Sequence, residues 1–278
     1  MKFGRMRTGA VAAVVALGLA ACGSSSSGSS SGTGGGGGTV KVGIKFDQPG
    51  LGLKAGSDYT GFDVDLAKYI AKELSLGTPE FVEAVSAQRE NLIAAGQVRY
   101  VVGTYSITDA RKEKVSFAGP YFIAGQDLLV RADDTSITGQ DASLNGKKLC
   151  SVKGSTPAEN VKKNIPGVQL QEYNTYTLCV DALLAKNVDA LTTDDTILAG
   201  YAAQAANAGK LKVVGKPFTK ENYGVGLKKG DVEFCTKVTD AIKKWMSSGE
   251  WKKAVDANLG PAKYTPPAGN PPTPAACS

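Results

Sequence analysis

The chain reads as an α/β fold, and two patterns carry that reading. Short runs that alternate apolar and polar residues are followed again and again by longer runs with apolar residues at helical spacing. That order of strand then helix persists along most of the chain and implies mainly parallel sheets. Ligands of such sheets sit at the carboxyl ends of the strands, so the turns after the strands are where function is sought.

The elements follow in order. Residues 40–46 alternate apolar side chains with others, a strand signal. Phe62, Leu66, Ile70 and Leu74 recur every four residues, with Val64, Ala67 and Ala71 on the same broad face, which predicts an amphipathic helix. Residues 81–85 read as a strand, 89–95 as a helix, and 100–102 and 127–130 as strands. Strand and helix then alternate through 148–152, 157–163, 168–173, 176–185 and 188–192. An Ala-rich helix is expected over 197–208, strands over 212–214 and 223–227, and helices over 232–246 and 250–258. Residues 261–278 form a Pro-rich extended tail. No internal repeat is present.

The N-terminus carries an address. Lys2, Arg5 and Arg7 precede an apolar run over 10–21, too short to span a bilayer, which takes roughly 20 apolar residues. Basic flank, short apolar core and small residues predict a signal peptide over 1–21. Its end, Leu19-Ala20-Ala21-Cys22, resembles the bacterial lipobox, in which the cysteine is lipidated (palmitate among the acyl chains) and becomes the new N-terminus. Residues 22–38 would then be a lipid-anchored tether, because Ser/Gly sequence buries no core and reaches roughly 20 Å. This places the body on the outer face of the cell membrane. No later segment is apolar enough to span one.

Composition removes several function classes. The net charge of +6 falls to +3 once the three basic residues of the signal segment are set aside, and both signs are interspersed. That gives no footprint for nucleic acid. The chain has no histidine, which weighs against a catalytic imidazole and against most zinc sites; neither metal nor cofactor is expected. Five cysteines suit an exported protein. With Cys22 lipidated, four remain. Cys150 and Cys179 fall on a strand and a nearby helix of one segment and are paired, leaving Cys235 with Cys277 to tie down the tail, although spacing alone allows three pairings. Closing the first loop is worth roughly 3–4 kcal/mol in the chain-entropy model.

Four clusters carry candidate chemistry. Gly103-Thr104-Tyr105-Ser106-Ile107-Thr108-Asp109-Ala110-Arg111 joins hydroxyls, a helix start capped by Thr108 and an arginine that can grip a carboxylate with two parallel bonds. Lys153-Gly154-Ser155-Thr156-Pro157-Ala158-Glu159 reads as a capping box, with Thr156 as N-cap and Pro157 at the first helical position; the same geometry offers N–H groups to an anion. Asp189-Ala190-Leu191-Thr192-Thr193-Asp194-Asp195 ends a strand in carboxylates, where Asp194 would serve equally as a helix cap or as a partner for an ammonium group. Ser86-Ala87-Gln88-Arg89 puts a cation at a helix N-terminus, against the macrodipole, which hints at work other than helix stability. Taken singly, each cluster is also an ordinary capped or solvated helix start.

Their order along the chain is more specific. The sequence resembles the polar-amino-acid solute-binding proteins of ABC importers, bacterial family three, over nearly the whole mature chain. The resemblance rests on Gly61-Phe62-Asp63-Val64-Asp65-Leu66-Ala67, on residues 104–111 followed by Val115-Ser116-Phe117-Ala118-Gly119-Pro120-Tyr121, on residues 154–156 and on residues 188–194. Residues 45–52, 86–90, 149–158 and 223–229 further resemble the glutamate-binding lipoproteins of actinobacterial glutamate importers.

The resemblance implies a two-lobed periplasmic-binding-protein-like fold of type II, with two hinge crossovers. Residues 39–130 and 223–260 would form lobe 1, and residues 131–222 lobe 2. It implies that Arg111 holds a ligand α-carboxylate, helped by Thr104 and Ser106 and touched also by Thr156, that Asp194 takes the α-ammonium, and that Ser155 belongs to the ligand-binding set. Lys45 and Arg89 would meet the side-chain carboxylate of an acidic ligand, and Gln48 is a further ligand-binding candidate. It implies a monomer, an amino-acid ligand (glutamate first), ABC permease subunits with cytoplasmic ATPases as partners, and no catalysis. A sensor lipoprotein signalling to a membrane receptor would bind the same ligand. Exported dehydratases and wall-cleaving enzymes share the architecture, but they need a general acid, and the one evident cleft acid, Asp194, is already assigned to binding. Gln97-Val98-Arg99 departs from the family's usual Gly-Lys-x-Asp and is expected to alter only the surface.

Overall fold

The computed structural model describes residues 38–278. The expected signal segment, the lipidation site Cys22 and the tether up to residue 37 lie outside the described residues. Two five-stranded sheets organise the chain. The first is built from β1 (Thr39–Ile44), β5 (Thr78–Glu83), β6 (Tyr100–Val101), β7 (Val115–Ala124) and β13 (Glu221–Lys228), in the order β5-β1-β6-β13-β7. Between β1 and β5 lie a small sheet of β2 (Asp47–Gln48), β3 (Gly52–Ala55) and β4 (Asp58–Thr60), and the helix α1 (Phe62–Glu73). Helices α2 (Arg89–Ala94) and α3 (Asp109–Lys112) flank β6, and α7 (Val232–Ser247) and α8 (Glu250–Asn258) follow β13.

The second sheet runs β10-β9-β11-β8-β12, from β8 (Gln126–Arg131), β9 (Lys148–Val152), β10 (Gln169–Tyr173), β11 (Ala190–Asp194) and β12 (Leu211–Val213). Helix α4 (Thr156–Asn164) follows β9, α5 (Tyr176–Leu184) follows β10, and α6 (Asp195–Ala203) follows β11. The first sheet with its helices is called lobe 1 below, and the second lobe 2.

The sheets are mixed rather than mainly parallel. β1 pairs in parallel with β5 and β6, and β9 with β10 and β11. β13 is antiparallel to β6 and β7, and β8 to β11 and β12. β8 and β13 are the strands on which the chain enters from the other sheet, and they run against the strands beside them. Pairing also moves the expected lobe boundary. β8 belongs wholly to the second sheet, so the first crossover lies at Gly125 rather than at 130/131. On the return, Glu221 already pairs with Ala124 of β7, ahead of the expected 222/223. An alternating run signals a strand but not the sheet that receives it. A Cβ on Gly125 would lie 2.8 Å from the Pro217 side chain and from the Thr219 carbonyl, so the two crossovers pass side by side only with glycine there.

Other departures have local causes. β7 is a ten-residue strand buried along almost its whole length, so it shows no alternation to mark it. The helix expected over 197–208 stops at Ala203. The cap of α4 is Ser155, whose hydroxyl accepts the N–H of Ala158 at 3.1 Å; Thr156 and Pro157 are its first two residues, and the expected box with Glu159 does not form. Arg99 does more than change the surface. It pairs with Asp231, the cap of α7, at 2.7 Å and lies 3.6 Å over the Phe234 ring.

Lobe 1 packs around Phe62, whose ring centre is 5.3 Å from Phe122, 5.2 Å from Trp245 and 5.9 Å from Trp251. Disulfides join Cys150 of β9 to Cys179 of α5, and Cys235 of α7 to Cys277 of the tail. The tail turns back along the edge strand β7, where the Phe117 N–H donates to the Ser278 carbonyl at 2.9 Å.

Candidate functional site

The expected site residues converge where the two lobes face each other. Lys45, Gln48, Arg89, Thr104, Ser106, Arg111, Ser155 and Asp194 are all buried, and Thr156 is half-buried. Lobe 1 supplies the first six from the ends of β1 and β6, from the β2 loop and from the starts of α2 and α3. Lobe 2 supplies the last three from the N-termini of α4 and α6.

In lobe 1 the backbone is held before any side chain is aimed. Asp63 of α1 accepts the N–H of Thr104 at 2.8 Å and the Tyr121 hydroxyl at 2.8 Å. Burial pushes its carboxyl up to about 6. Thr104 is thereby kept at φ 44°, a left-handed conformation unfavourable for a β-branched residue. Its hydroxyl donates to Gln48 Oε1 at 3.2 Å. The Arg89 guanidinium donates to the Gly103 carbonyl at 3.0 Å and stacks 4.0 Å over the Tyr105 ring. Arg111 donates to the Ser106 carbonyl at 2.7 Å and lies 5.0 Å from the centre of the same ring. Its α3 is started by Thr108, as expected, whose hydroxyl accepts the Arg111 N–H. Arg89 is therefore a buried cation and not a solvated helix start.

Lobe 2 meets this wall directly. Arg111 donates across the cleft to the Gly154 carbonyl at 3.0 Å. The Thr156 hydroxyl lies 3.2 Å from Ser106 Oγ and 2.8 Å from Glu221 Oε2. Asp194 occupies the cap position of α6 without making a cap bond; its Oδ2 accepts the Tyr223 hydroxyl at 2.5 Å.

The electrostatics are those of buried charge. Burial, and then the proximity of Arg89, holds Arg111 down to about 10. Burial brings Lys45 down to about 8, with Asp47 opposing that shift and Arg89 adding to it. Burial, and then Glu221, raises Asp194 well above the carboxylate range. Three site residues also hold buried polar atoms without a hydrogen-bond partner: Gln48 Nε2, Arg89 Nε and Asp194 Oδ1. The hydroxyls of Tyr105, Thr193 and Thr196 are unpartnered as well, and buried polar atoms of this kind cost free energy until a partner reaches them. Among the described residues, no group of three or more His, Cys, Asp or Glu side chains is set to hold a metal ion.

Sequence reasoning missed three contributors. Glu221 and Tyr223 lie two apart on β13, on one face of the strand, and reach Thr156 and Asp194. Tyr105 is the aromatic plate beneath both arginines. The period of two through 221–223 was the available signal. Glu221 also means that Asp194 is not the sole acid of the cleft.

The model of the bacterial extracellular solute-binding proteins, family 3, matches residues 40–261. The chain is 45% identical to the glutamate-binding protein GluB of Corynebacterium glutamicum, over 91% of this chain and 90% of that protein. It is 35% identical to the ABC transporter glutamine-binding protein GlnH of Bacillus subtilis, over 84% of this chain and 89% of that one. Among solved structures, an ancestral arginine-binding protein bound to glutamine superposes with a TM-score of 0.74 at 33% identity, over 80% of this chain and 98% of that one.

Proposed function

This chain belongs to the bacterial extracellular solute-binding proteins, family 3, and from that premise we propose that it captures glutamate outside the membrane and hands it to an ABC importer by closing lobe 2 onto lobe 1. The relatives bind solutes rather than transform them, and the cleft chemistry is that of capture.

The observation that carries the reading is the burial of Lys45, Arg89 and Arg111 on lobe 1 with Asp194 on lobe 2, where Arg89 Nε and Asp194 Oδ1 are left without partners. In this reading Arg111, with Thr104, Ser106 and Thr156, takes the α-carboxylate, while Asp194 takes the α-ammonium; Ser155 instead caps α4. Lys45 and Arg89 are then two buried cations left for one more anion. Such a pair is costly to desolvate unless a carboxylate joins it, which favours glutamate over glutamine. A monomer held to the outer leaflet through Cys22 completes the proposal, and the tether keeps it near permease subunits. Hinge motion about Gly125 and the return crossover would let both walls reach one ligand.

Calorimetry against the twenty amino acids tests it. Glutamate is expected to bind most tightly, with ligand-induced shrinkage of the radius of gyration. A protein that binds none of them, or binds a neutral or basic one best, contradicts the reading.

A further inference from the structure

A second contact between the lobes lies beside the charged cleft and uses none of its charged residues. The loop after β1 carries Asp47, Gln48 and Pro49 from lobe 1 onto two helices of lobe 2. Asp47 Oδ2 accepts the N–H of Tyr176, the first residue of α5, at 2.8 Å. The hydroxyl of Tyr201, on α6, reaches both the Asp47 carbonyl and its carboxylate, the latter at 3.3 Å. Tyr201 has one proton to give. With that proton on Asp47, the Thr177 hydroxyl 3.1 Å away must be the donor to Tyr201. The result is a directed chain from α5 through α6 to lobe 1.

Gly200, next to Tyr201, gives an independent mark of the same contact. A methyl group at that position would strike the Pro49 carbonyl. Nothing in the backbone asks for glycine there. Gly200 lies inside α6, is not among the glycines in the left-handed region, and occupies a place where alanine forms a helix better. Its missing side chain is explained by the approach of the other lobe. Between Asp47 and Pro49 sits Gln48, buried and bonded to Thr104, so seating this loop also sets a residue of the binding wall.

We propose that Asp47, Gly200 and Tyr201 form an interlobe latch, positioning residues that set how long the closed clamp keeps its amino acid. The proposal rests on the closing-clamp reading above. The latch forms only when the lobes meet, so it acts on ligand release and leaves the first encounter with the open protein unchanged.

The test uses the full chain with one dye on each lobe, read by single-molecule energy transfer, together with stopped-flow release of glutamate. Gly200→Ala should leave the melting temperature unchanged or raise it by roughly 3 °C, since alanine is the better helix former. The same variant should release glutamate at least tenfold faster, about 1.4 kcal/mol, with the association rate within about threefold of the parent and a smaller closed population. A purely structural glycine would give the reverse: a lowered melting temperature and an unaltered release rate. Tyr201→Phe, which keeps the ring and removes the hydroxyl, should also speed release, and it decides the matter if Gly200→Ala does not fold. A parent that closes with glutamate beside variants that close and release alike overturns the latch alone. A parent that closes with none of the twenty amino acids overturns the clamp reading and the latch together.

Discussion

The two walls of the cleft are built by different means. Lobe 1 presents three buried cations, and each is anchored on its own lobe: Lys45 lies 3.5 Å from the Ser86 hydroxyl, Arg89 is bonded to the Gly103 carbonyl, and Arg111 to the Ser106 carbonyl. Asp63, Thr104 and Tyr105 hold the backbone and the aromatic plate behind them. Lobe 2 presents two helix N-termini, with Ser155 spent on capping α4 and Asp194 left with one free oxygen. In the proposed clamp, lobe 1 would be assembled before closure and lobe 2 would complete it. A ligand shifts an open–closed equilibrium only through its different affinity for the two states, and lobe 2 supplies that difference.

The comparison can be broken most sharply at Arg111. Arg111→Ala should cost roughly 2–5 kcal/mol of glutamate binding, because a buried carboxylate would lose its charged partner. Titration calorimetry within threefold of the parent would remove Arg111 from the site. Asp194→Ala should lose a similar amount through the ammonium. Because Asp194 belongs to the completing wall, scattering on this variant should show weakened closure as well as weakened affinity; a variant that closes normally would place the ammonium elsewhere.

Lys45 sharpens the contrast through pH. Burial has already brought its ammonium down to about 8, and a ligand carboxylate would favour the charged form. Glutamate affinity should therefore hold below about pH 8 and fall as pH rises through and beyond it, with proton uptake on binding in that range. Glutamine affinity should change much less over the same range. Parallel profiles for the two ligands would show that Lys45 does not face the side-chain carboxylate. The smallest effect is expected at Thr104, where Thr104→Ala removes one hydroxyl bond to Gln48, roughly 0.5–1.5 kcal/mol of binding. A loss as large as that of Arg111→Ala would mean that the left-handed backbone there, rather than the hydroxyl, is what the substitution disturbs.

Much of the fold was legible because periodicity survives in half-buried elements. The apolar face of α1 stands in the sequence as it does in space, and so does the alternation of β1 over its first four residues, before Gly43, Ile44 and the following Lys45 are all buried. β7 was not legible, because a strand buried on both faces loses its alternation. The assignment of β8 to lobe 2 was not legible either, since pairing partners lie far away in sequence. At the site, the clusters around Arg111, Thr156 and Asp194 were visible as helix starts, but a cap and a ligand contact use the same residue types. Only geometry separated Ser155, which caps, from Asp194, which sits at a cap position and makes no cap bond. Arg89 was visible as a cation on the wrong end of a helix, and its burial over Tyr105 supplies the reason for the misfit.

That arginine offers the most direct measurement of the central claim, that buried cations of the preassembled wall read a side-chain carboxylate. Glutamate and glutamine are titrated into the parent and into Arg89→Ala under one set of conditions. The parent should prefer glutamate by more than tenfold, about 1.4 kcal/mol or more, and Arg89→Ala should weaken glutamate far more than glutamine, so that the preference collapses. Equal affinity for the two ligands in the parent, or a variant that loses both in proportion, would contradict the account.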